Sequence, residues 1–120
     1  MSTIKHIEIA GVDGEKLQQF YAKLFGWDMN RRNVGGFDYF DVDDSGSPSL
    51  GIRHEPEGYP EIVVYVEVEN LDQSVKEAEA LGATLRIPPI QHDDILFALI
   101  KDPEGNPIGL TQTQPEDRSK

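Results

Sequence analysis

The stretch that decides the fold is IVVYVEVENLDQSVKEAEALG, residues Ile62 to Gly82. Its first part places valines on alternate residues, which predicts a strand with one buried face. Its second part predicts a helix, with Asn70 as the N-cap, Gln73 three residues later as in a capping box, and Gly82 as the stop. The stretch therefore predicts a strand that is followed directly by a helix.

The same pattern occurs earlier, in IKHIEIAGVDGEKLQQFYAKLFG from Ile4 to Gly26. Here Asp13 is the predicted N-cap, and it lies 57 residues before Asn70. Three short strands, bounded by turn-rich segments, are predicted after each helix. They lie near Trp27–Arg32, Phe37–Val42 and Ser49–Arg53 in the first half, and near Ala83–Ile87, Ile95–Ile100 and Pro107–Thr113 in the second.

Each half of the chain is thus a βαβββ module in an α+β fold with mostly antiparallel sheets. Module 1 spans about residues 1–55, module 2 spans about residues 60–114, and residues 115–120 form a tail. A module of this length would bury too little surface to be stable alone. We therefore expect residues 1–120 to form one domain in which the two modules share a sheet or a core.

The composition excludes several classes of function. The chain has 120 residues with 11 basic and 22 acidic side chains, a net charge of −11, which argues against a nucleic-acid partner. It has no cysteine, so disulfides and thiolate chemistry are excluded. No stretch predicts a signal peptide or a membrane span, so we expect a cytoplasmic protein with no membrane partner.

Three stretches resemble a known family: HIEIAGVDGEKLQQFYAKLFGWDM, VVYVEVENLDQSVKEAEALGATL and FALIKDPEGNPIGL. They are similar to the glyoxalase/bleomycin-resistance/dioxygenase group, the vicinal oxygen chelate superfamily, over nearly the whole chain. The resemblance implies curved sheets that form a ligand cup, and it implies a homodimer. Whether the modules pair within one chain or exchange between two chains stays open.

In metal-dependent members of that superfamily, four side chains in the cup hold one divalent cation. The resemblance carries these positions to His6, about Gly51, Val63 and Gly109. Only His6 can ligate a metal through its side chain, so we expect no metal site and no cofactor. The alternative is one divalent metal ion that is held by His6 and Glu8 with other groups.

Strand periodicity gives the candidate ligand-binding residues. Ile62, Val64 and Val66 should face the helix, because a slip of one residue would bury Tyr65 and Glu67 there instead. Gly51 and Gly109 should leave open space where a ligand or another backbone could approach. The residues predicted to face the cup and bind a ligand are His6, Glu8, Tyr39, Arg53, Tyr65, Glu67 and Thr111.

These residues predict a metal-independent protein that binds a small organic molecule. The tyrosines offer stacking surfaces, and Arg53 could hold a carboxylate or phosphate. The alternative is a glyoxalase-like, lyase-like or dioxygenase-like enzyme in which His6 or Glu8 is the base or a metal ligand. A purely structural interpretation, in which His6 and Glu8 form only a hydrogen bond or ion pair, also stays open.

Overall fold

The computed structural model describes residues 2–34, 36–43, 46–92 and 94–113, and the predicted tail of residues 115–120 lies outside them. Within these ranges both βαβββ modules are present, which confirms the predicted α+β class. The elements are β1 (Thr3–Gly11), α1 (Gly14–Phe25), β2 (Met29–Val34), β3 (Phe37–Val42), β4 (Ser49–His54), β5 (Glu61–Glu67), α2 (Leu71–Ala80), β6 (Thr84–His92), β7 (Ile95–Lys101) and β8 (Pro107–Thr113).

The element bounds differ from the prediction mainly at β6. The strand was expected to end near Ile87, but it continues to His92 and includes Pro88 and Pro89. Its pairing with β7 has irregularities on both sides of Ile87. Proline is tolerated in an edge strand, and β6 is the last strand of its sheet, so two prolines do not end it.

The chain divides into two compact units. One contains residues 5–63, and the other contains residues 1–4 and 64–120. The division falls within β5, whereas the sequence places the boundary between modules in the connector that precedes this strand. The expected organisation as a single domain stays a prediction.

In the unit of residues 5–63, the strand order is β2-β3-β4-β1. The pairs β2–β3 and β3–β4 are antiparallel, and β4 pairs in parallel with β1. Helix α1 packs on β3 and β4. Phe40 and Ile52, which are directly paired across β3 and β4, are almost completely buried and contribute to the core of this unit.

Helix α1 begins and ends where the sequence predicts. The Asp13 carboxylate accepts a hydrogen bond from the Lys16 backbone N–H at 3.1 Å. Gly26 has a φ of 71°, a left-handed conformation that favours glycine, and it ends the helix. His54 adds a contact that the sequence did not reveal: its Nδ1 accepts a hydrogen bond from the Gly14 N–H at 2.9 Å. This bond ties the start of α1 to the end of β4.

The second unit has the order β5-β8-β7-β6, with β5 and β8 parallel and the other pairs antiparallel. Helix α2 is capped by Asn70, whose side chain accepts a hydrogen bond from the Gln73 N–H at 3.0 Å. The Gln73 side chain donates a hydrogen bond to the Glu77 carboxylate and not to the Asn70 backbone. Of the two bonds of the predicted capping box, the described residues therefore show only the one that the Asn70 side chain accepts. The buried core under α2 consists of Leu71, Val75, Ala98, Ile100 and Leu110.

The prediction that β5 packs against the helix is confirmed at Val66, whereas Ile62 at the other end of the strand is more exposed than expected. Val66 packs against the α2 core, as expected. Ile62 is 58% exposed, although its spacing matches that of Val66.

The apolar stripe of α1 is also less buried than its helical spacing predicts. Phe20 and Leu24 are both more than half exposed. Tyr21 instead stacks on Phe25 and Trp27, with ring centroids about 6 Å apart. Part of the apolar face of α1 therefore lies beyond the surface of β3 and β4 on which the helix packs.

Neither of the two helices has the length and apolar character that a membrane crossing would need, among the residues described.

Candidate functional site

The sheet of residues 5–63 has a polar side opposite α1. His54 lies on the α1 side, where it contacts Gly14, so the odd-numbered residues of β4 point the other way. Ser49 and Gly51 are directly paired with His6 and Glu8 of β1. Parallel registration therefore places His6 and Glu8 on the side that α1 leaves uncovered.

The neighbouring strands extend this polar side. Arg53 is paired with Tyr39 of β3, and Tyr39 is paired in turn with Arg32 of β2. Asp41 is paired with Gly51. We call the following residues the polar face: His6, Glu8, Arg32, Tyr39, Asp41, Ser49, Gly51 and Arg53.

His6 is the centre of a hydrogen-bond chain on the polar face. Its Nε2 lies 2.6 Å from the Tyr39 hydroxyl, and its Nδ1 lies 2.6 Å from the Ser49 Oγ. The Ser49 hydroxyl donates to the Lys5 carbonyl at 3.2 Å. Because the Ser49 proton is used in that bond, Ser49 accepts from Nδ1–H, and the Tyr39 hydroxyl donates to Nε2.

The electrostatics agree with a neutral His6. Burial lowers the pKa of its imidazole, and the Arg32 guanidinium lowers it further, whereas the Glu8 and Asp41 carboxylates act in the opposite direction. Burial is the largest of these effects. The neutral ring can therefore accept a hydrogen bond from the Tyr39 hydroxyl at Nε2 while its Nδ1–H donates a hydrogen bond to Ser49.

Gly51 does not open the space that the sequence predicts. A methyl group built on its Cα would overlap the hydroxyl and ring of Tyr39. Tyr39 is only 5% exposed, so its ring lies down on the glycine and is mostly shielded from solvent. The expectation of an open space at this position is therefore wrong, because a side chain from the neighbouring strand fills it.

Arg53 joins Glu8 to two further carboxylates in a buried ion cluster. Its Nη1 lies 2.8 Å from Glu8, its Nη2 lies 3.2 Å from Glu61, and its Nε lies 3.1 Å from Glu55. The Nε contact is an ion pair without hydrogen-bond alignment. The side chains of Glu8 and Glu61 are more than nine-tenths buried, so Arg53 neutralises charge inside the protein.

The polar face includes residues that sequence reasoning missed. Ser49, Arg32 and Asp41 were not predicted as site residues, and neither were the ion-pair partners Glu55 and Glu61. Strand alternation could have found Ser49, which lies two residues before Gly51 on the same side of β4. The contact of Glu61 with Arg53 has no signal in local sequence, because it depends on how the chain turns between β4 and β5.

The remaining predicted site residues lie in the second unit. Tyr65 is paired with Gly109, and Glu67 is paired with Thr111. A methyl group on Gly109 would overlap the Tyr65 ring, which is 8% exposed, so the predicted opening is filled here too. The Thr111 hydroxyl makes a long hydrogen bond of 3.5 Å to the Val66 carbonyl.

Glu67 borders an open cavity of about 590 Å³ beside the start of α2. Its lining is polar and acidic: Ser2, Thr3, Glu67, Val68, Glu69, Asn70, Gln73, Ser74, Glu77 and Gln112. Gln112 accepts a hydrogen bond from the Leu71 N–H at 2.7 Å and so helps to cap α2.

The fold matches solved structures over nearly its whole length. A hypothetical protein from Bacillus halodurans C-125 superposes with a TM-score of 0.74 at 11% identity, covering 98% of both chains. Methylmalonyl-CoA epimerase from Mycobacterium tuberculosis gives 0.69 at 16% identity, covering 98% of this chain and 91% of that one. Identities this low establish the fold alone.

Another match is a variant of Streptomyces coelicolor methylmalonyl-CoA epimerase in complex with 2-nitronate-propionyl-CoA, with a TM-score of 0.68, 14% identity and coverage of 93% and 97%. Comparison with curated proteins gives no match. The family model for the glyoxalase-like domain matches residues 6–111. The chain belongs to the glyoxalase-like domain family. It is thereby a member of the vicinal oxygen chelate superfamily.

The glyoxalase-like domain does not offer the donors that the metal positions of its superfamily require. Gly51 and Gly109 have no donor side chain, and each is covered by a tyrosine ring. Val63 is apolar and completely buried. Both ring nitrogens of His6 are already hydrogen-bonded within the protein. Within the described residues, no three His, Cys, Asp or Glu side chains gather as a metal site, so the residues present do not fit the superfamily's metal.

Proposed function

We propose that this glyoxalase-like domain binds a small organic molecule without a metal ion, and that the polar face is part of the binding site. The observation that carries the proposal is which residues stand at the positions that hold the metal in other members of the superfamily. His6 is held by Tyr39 and Ser49 at 2.6 Å on both ring nitrogens, and the glycines carry no donor. The side chains that remain are suited to hydrogen bonding rather than to chelation.

The polar face is also organised in advance of any ligand. His6, Tyr39 and Ser49 form one directed chain of hydrogen bonds, and Arg53 is fixed by its ion pairs. Groups that are already held in place lose little conformational entropy when a ligand binds. A few directed polar groups with apolar support are the usual composition of small-molecule sites.

An acid–base enzyme is the second candidate, and one observation favours it. The Tyr39 hydroxyl donates to the neutral His6 ring, so a substrate proton taken by the Tyr39 oxygen could be balanced by transfer of the phenolic proton to Nε2. His6 is then the proton acceptor and Tyr39 the group that touches substrate. Glu8 is less suited to act as the base, because Arg53 binds its carboxylate.

A ligand screen with metal analysis tests the proposal. The metal content of the purified protein is measured by elemental analysis, the protein is then stripped with a chelator, and a small-molecule library is screened by thermal shift. We expect hits that raise the melting temperature of metal-free protein, since a ligand that binds the native state stabilises it. Tyr39→Phe should weaken these hits, and the exposed control Glu104→Gln should not.

Two other results would decide against parts of the proposal. A near-stoichiometric divalent ion that is lost in His6→Gln would overturn metal independence. Turnover of a hit that falls in both His6→Gln and Tyr39→Phe would favour the enzyme.

We also propose that the protein is a cytoplasmic homodimer without nucleic-acid or membrane partners. The family resemblance supports the dimer, and the net charge of −11 and absence of cysteine support the rest. Light scattering after size-exclusion chromatography would measure the mass of the particle, and a monomer would contradict the dimer.

A further inference from the structure

The first turn of α1 is held by two side chains from different parts of the chain. The Asp13 carboxylate accepts a hydrogen bond from the Lys16 N–H, as an N-cap residue does. The N–H of Gly14, the first residue of the helix, donates to Nδ1 of His54 at 2.9 Å. The first N–H groups of a helix have no partner within the helix, so His54 supplies an acceptor that the helix itself lacks.

The contact between His54 and Gly14 is close and shielded from solvent. Gly14 is buried, and a methyl group built on its Cα would overlap the Cα and Cβ of His54. A methyl group on Gly11, which is paired with His54 across β1 and β4, would overlap the Leu17 side chain. The start of α1 therefore lies directly on the ends of β1 and β4, and the Gly14 N–H has little access to water as another acceptor.

This hydrogen bond requires a neutral imidazole. Nδ1 accepts a hydrogen bond only while it carries no proton. Protonation of His54 would place an N–H on Nδ1 opposite the Gly14 N–H, and two donors would then face each other. A buried donor without an acceptor is unfavourable, and a positive charge at the N-terminal end of a helix opposes the helix dipole. Protonation should therefore break the bond and weaken the first turn.

The charged groups in the first turn of α1 do not replace His54. They are Asp13 at the cap, Glu15 and Lys16. The Asp13 carboxylate holds the Lys16 N–H, and the Glu15 carboxylate is bound to a guanidinium of β2. Both carboxylates have partners of their own, so the first N–H of the helix depends on His54.

The strands next to His54 contribute further charged groups. On β4, Arg53 points to the opposite, polar side, and β1 has the uncharged Gly11 beside His54. On β3, Asp38 lies on the α1 side by strand alternation, and its carboxylate is 4.0 Å from a guanidinium of β2. Glu55, which follows β4, is bound to Arg53. The described partners of these groups leave the His54 ring as the acceptor that holds the helix start.

The first turn of α1 is also one wall of an apolar recess of about 310 Å³. Val12, Lys16 and Leu17 are among the residues that line this recess. A movement of the turn would therefore change its shape.

We propose that His54 is a pH-sensitive switch at the start of α1. The neutral imidazole holds the Gly14 N–H and closes the first turn onto β1 and β4. As the pH falls through the range in which imidazoles ionise, the protonated ring releases the turn and loosens the recess. The switch is separate from the polar face, because His54 lies on the α1 side of the sheet.

NMR of the full ¹⁵N- and ¹³C-labelled chain between pH 8 and pH 5.5 tests the proposal. The Cε1–H resonance of His54 reports when its ring becomes protonated. Protection of the Gly14 amide against hydrogen exchange, relative to an unstructured peptide at the same pH, reports the hydrogen bond. We expect this protection to fall roughly tenfold as the ring becomes protonated, because one hydrogen bond is lost. The amide resonances of Val12 and Leu17 should shift over the same pH range.

Three variants assign the change to His54. His54→Asn places an amide oxygen near the position of Nδ1 but does not titrate, so the Gly14 amide should stay protected at both ends of the pH range. His54→Ala removes the acceptor, and protection should be low at both ends. His6→Gln removes a histidine of the polar face, and the pH dependence at Gly14 should be unchanged.

Three results would overturn the switch. They are constant protection of Gly14 while the His54 ring titrates, a ring that stays neutral down to pH 5.5, and an unchanged pH dependence in His54→Asn. If His54→Ala does not fold, comparison of the unaltered protein with His54→Asn still decides. None of these measurements uses a ligand, so their failure leaves the proposed function untouched.

Discussion

The two modules start from one structural plan and differ in what they place on it. Tyr39, Asp41, Gly51 and Arg53 of module 1 correspond, 58 residues later, to Phe97, Leu99, Gly109 and Thr111 of module 2. The strand registers agree: Tyr39 is paired with Arg53, and Phe97 with Thr111. Module 1 therefore has Tyr39 and Asp41 where module 2 has the apolar Phe97 and Leu99, and it has the charged Arg53 where module 2 has the uncharged Thr111.

The shared glycine shows what the difference teaches. In both modules the glycine is covered by a tyrosine, but the tyrosine comes from different strands. Tyr39 reaches Gly51 from β3, and Tyr65 reaches Gly109 from β5. The space beside each glycine can be filled by a side chain from either neighbouring strand. The two modules therefore share a filled space at this position, but the residue that fills it comes from a different strand in each.

The largest expected difference in the free energy of unfolding is between variants of the equivalent residues Arg53 and Thr111. Arg53→Met leaves Glu8 and Glu61 buried without their shared cation, which should lower the free energy of unfolding by about 3–5 kcal/mol. Thr111→Val loses one long hydrogen bond, so it should cost less than about 1 kcal/mol. Urea unfolding of the two variants measures both, and similar losses would contradict the contrast between modules.

Next come the two covered glycines. Gly51→Ala and Gly109→Ala should each cost about 1–3 kcal/mol, because the added methyl group meets a packed ring. Tyr65→Ala alone should cost about 3–5 kcal/mol through the cavity it leaves.

A double-mutant cycle sharpens this test. The methyl group of Gly109→Ala enters the space that Tyr65→Ala vacates, so the double variant should lose less stability than the two single losses added together. Strict additivity, measured by chemical denaturation, would show that the ring does not fill the glycine position.

A smaller effect is expected for the hydrogen bond that only module 1 has. Tyr39→Phe keeps the ring over Gly51 but leaves the His6 Nε2 without its donor, which should cost about 1–2 kcal/mol. In a His6→Gln background the same change should cost less, because the two side chains act as a pair. An unchanged cost in that background would show that the bond does not stabilise the protein.

The smallest effect concerns pH. Burial lowers the pKa of His6 in the folded state, so the unfolded chain binds a proton more readily. Stability from this group is therefore full above the unfolded-state pKa of about 6.5 and is lost as pH falls through that value toward the lower folded-state pKa. His6→Gln should flatten this part of the stability profile, and an unchanged profile would exclude His6 as its source. Module 2 has the non-titrating Val63 at the equivalent position.

Much of the fold was predictable from local pattern. Capping residues such as Asp13 and Asn70, and the stop at Gly26, act within one turn of the chain, so their meaning does not depend on distant residues. The alternation in β1 likewise placed His6 and Glu8 on one side of the sheet. Burial was predicted less well: Phe20 and Ile62 have suitable spacing but are mostly exposed.

The candidate site could be predicted only in outline. The superfamily pattern and the repeat singled out His6, Gly51 and Gly109 as positions of interest. The partners of His6 were not predictable, because Tyr39 and Ser49 lie 33 and 43 residues away along the chain. Glu61 reaches Arg53 through a turn that no local pattern describes.

By itself, the sequence determined the two βαβββ modules and the order of their elements. These follow from periodicity, caps and residue identity, which act over a few neighbouring residues. Only the tertiary structure decided that tyrosine rings fill the glycine positions and that Arg53 is surrounded by carboxylates. Contacts of this kind depend on which strands become neighbours and how their side chains pack, and that information is distributed over the whole module.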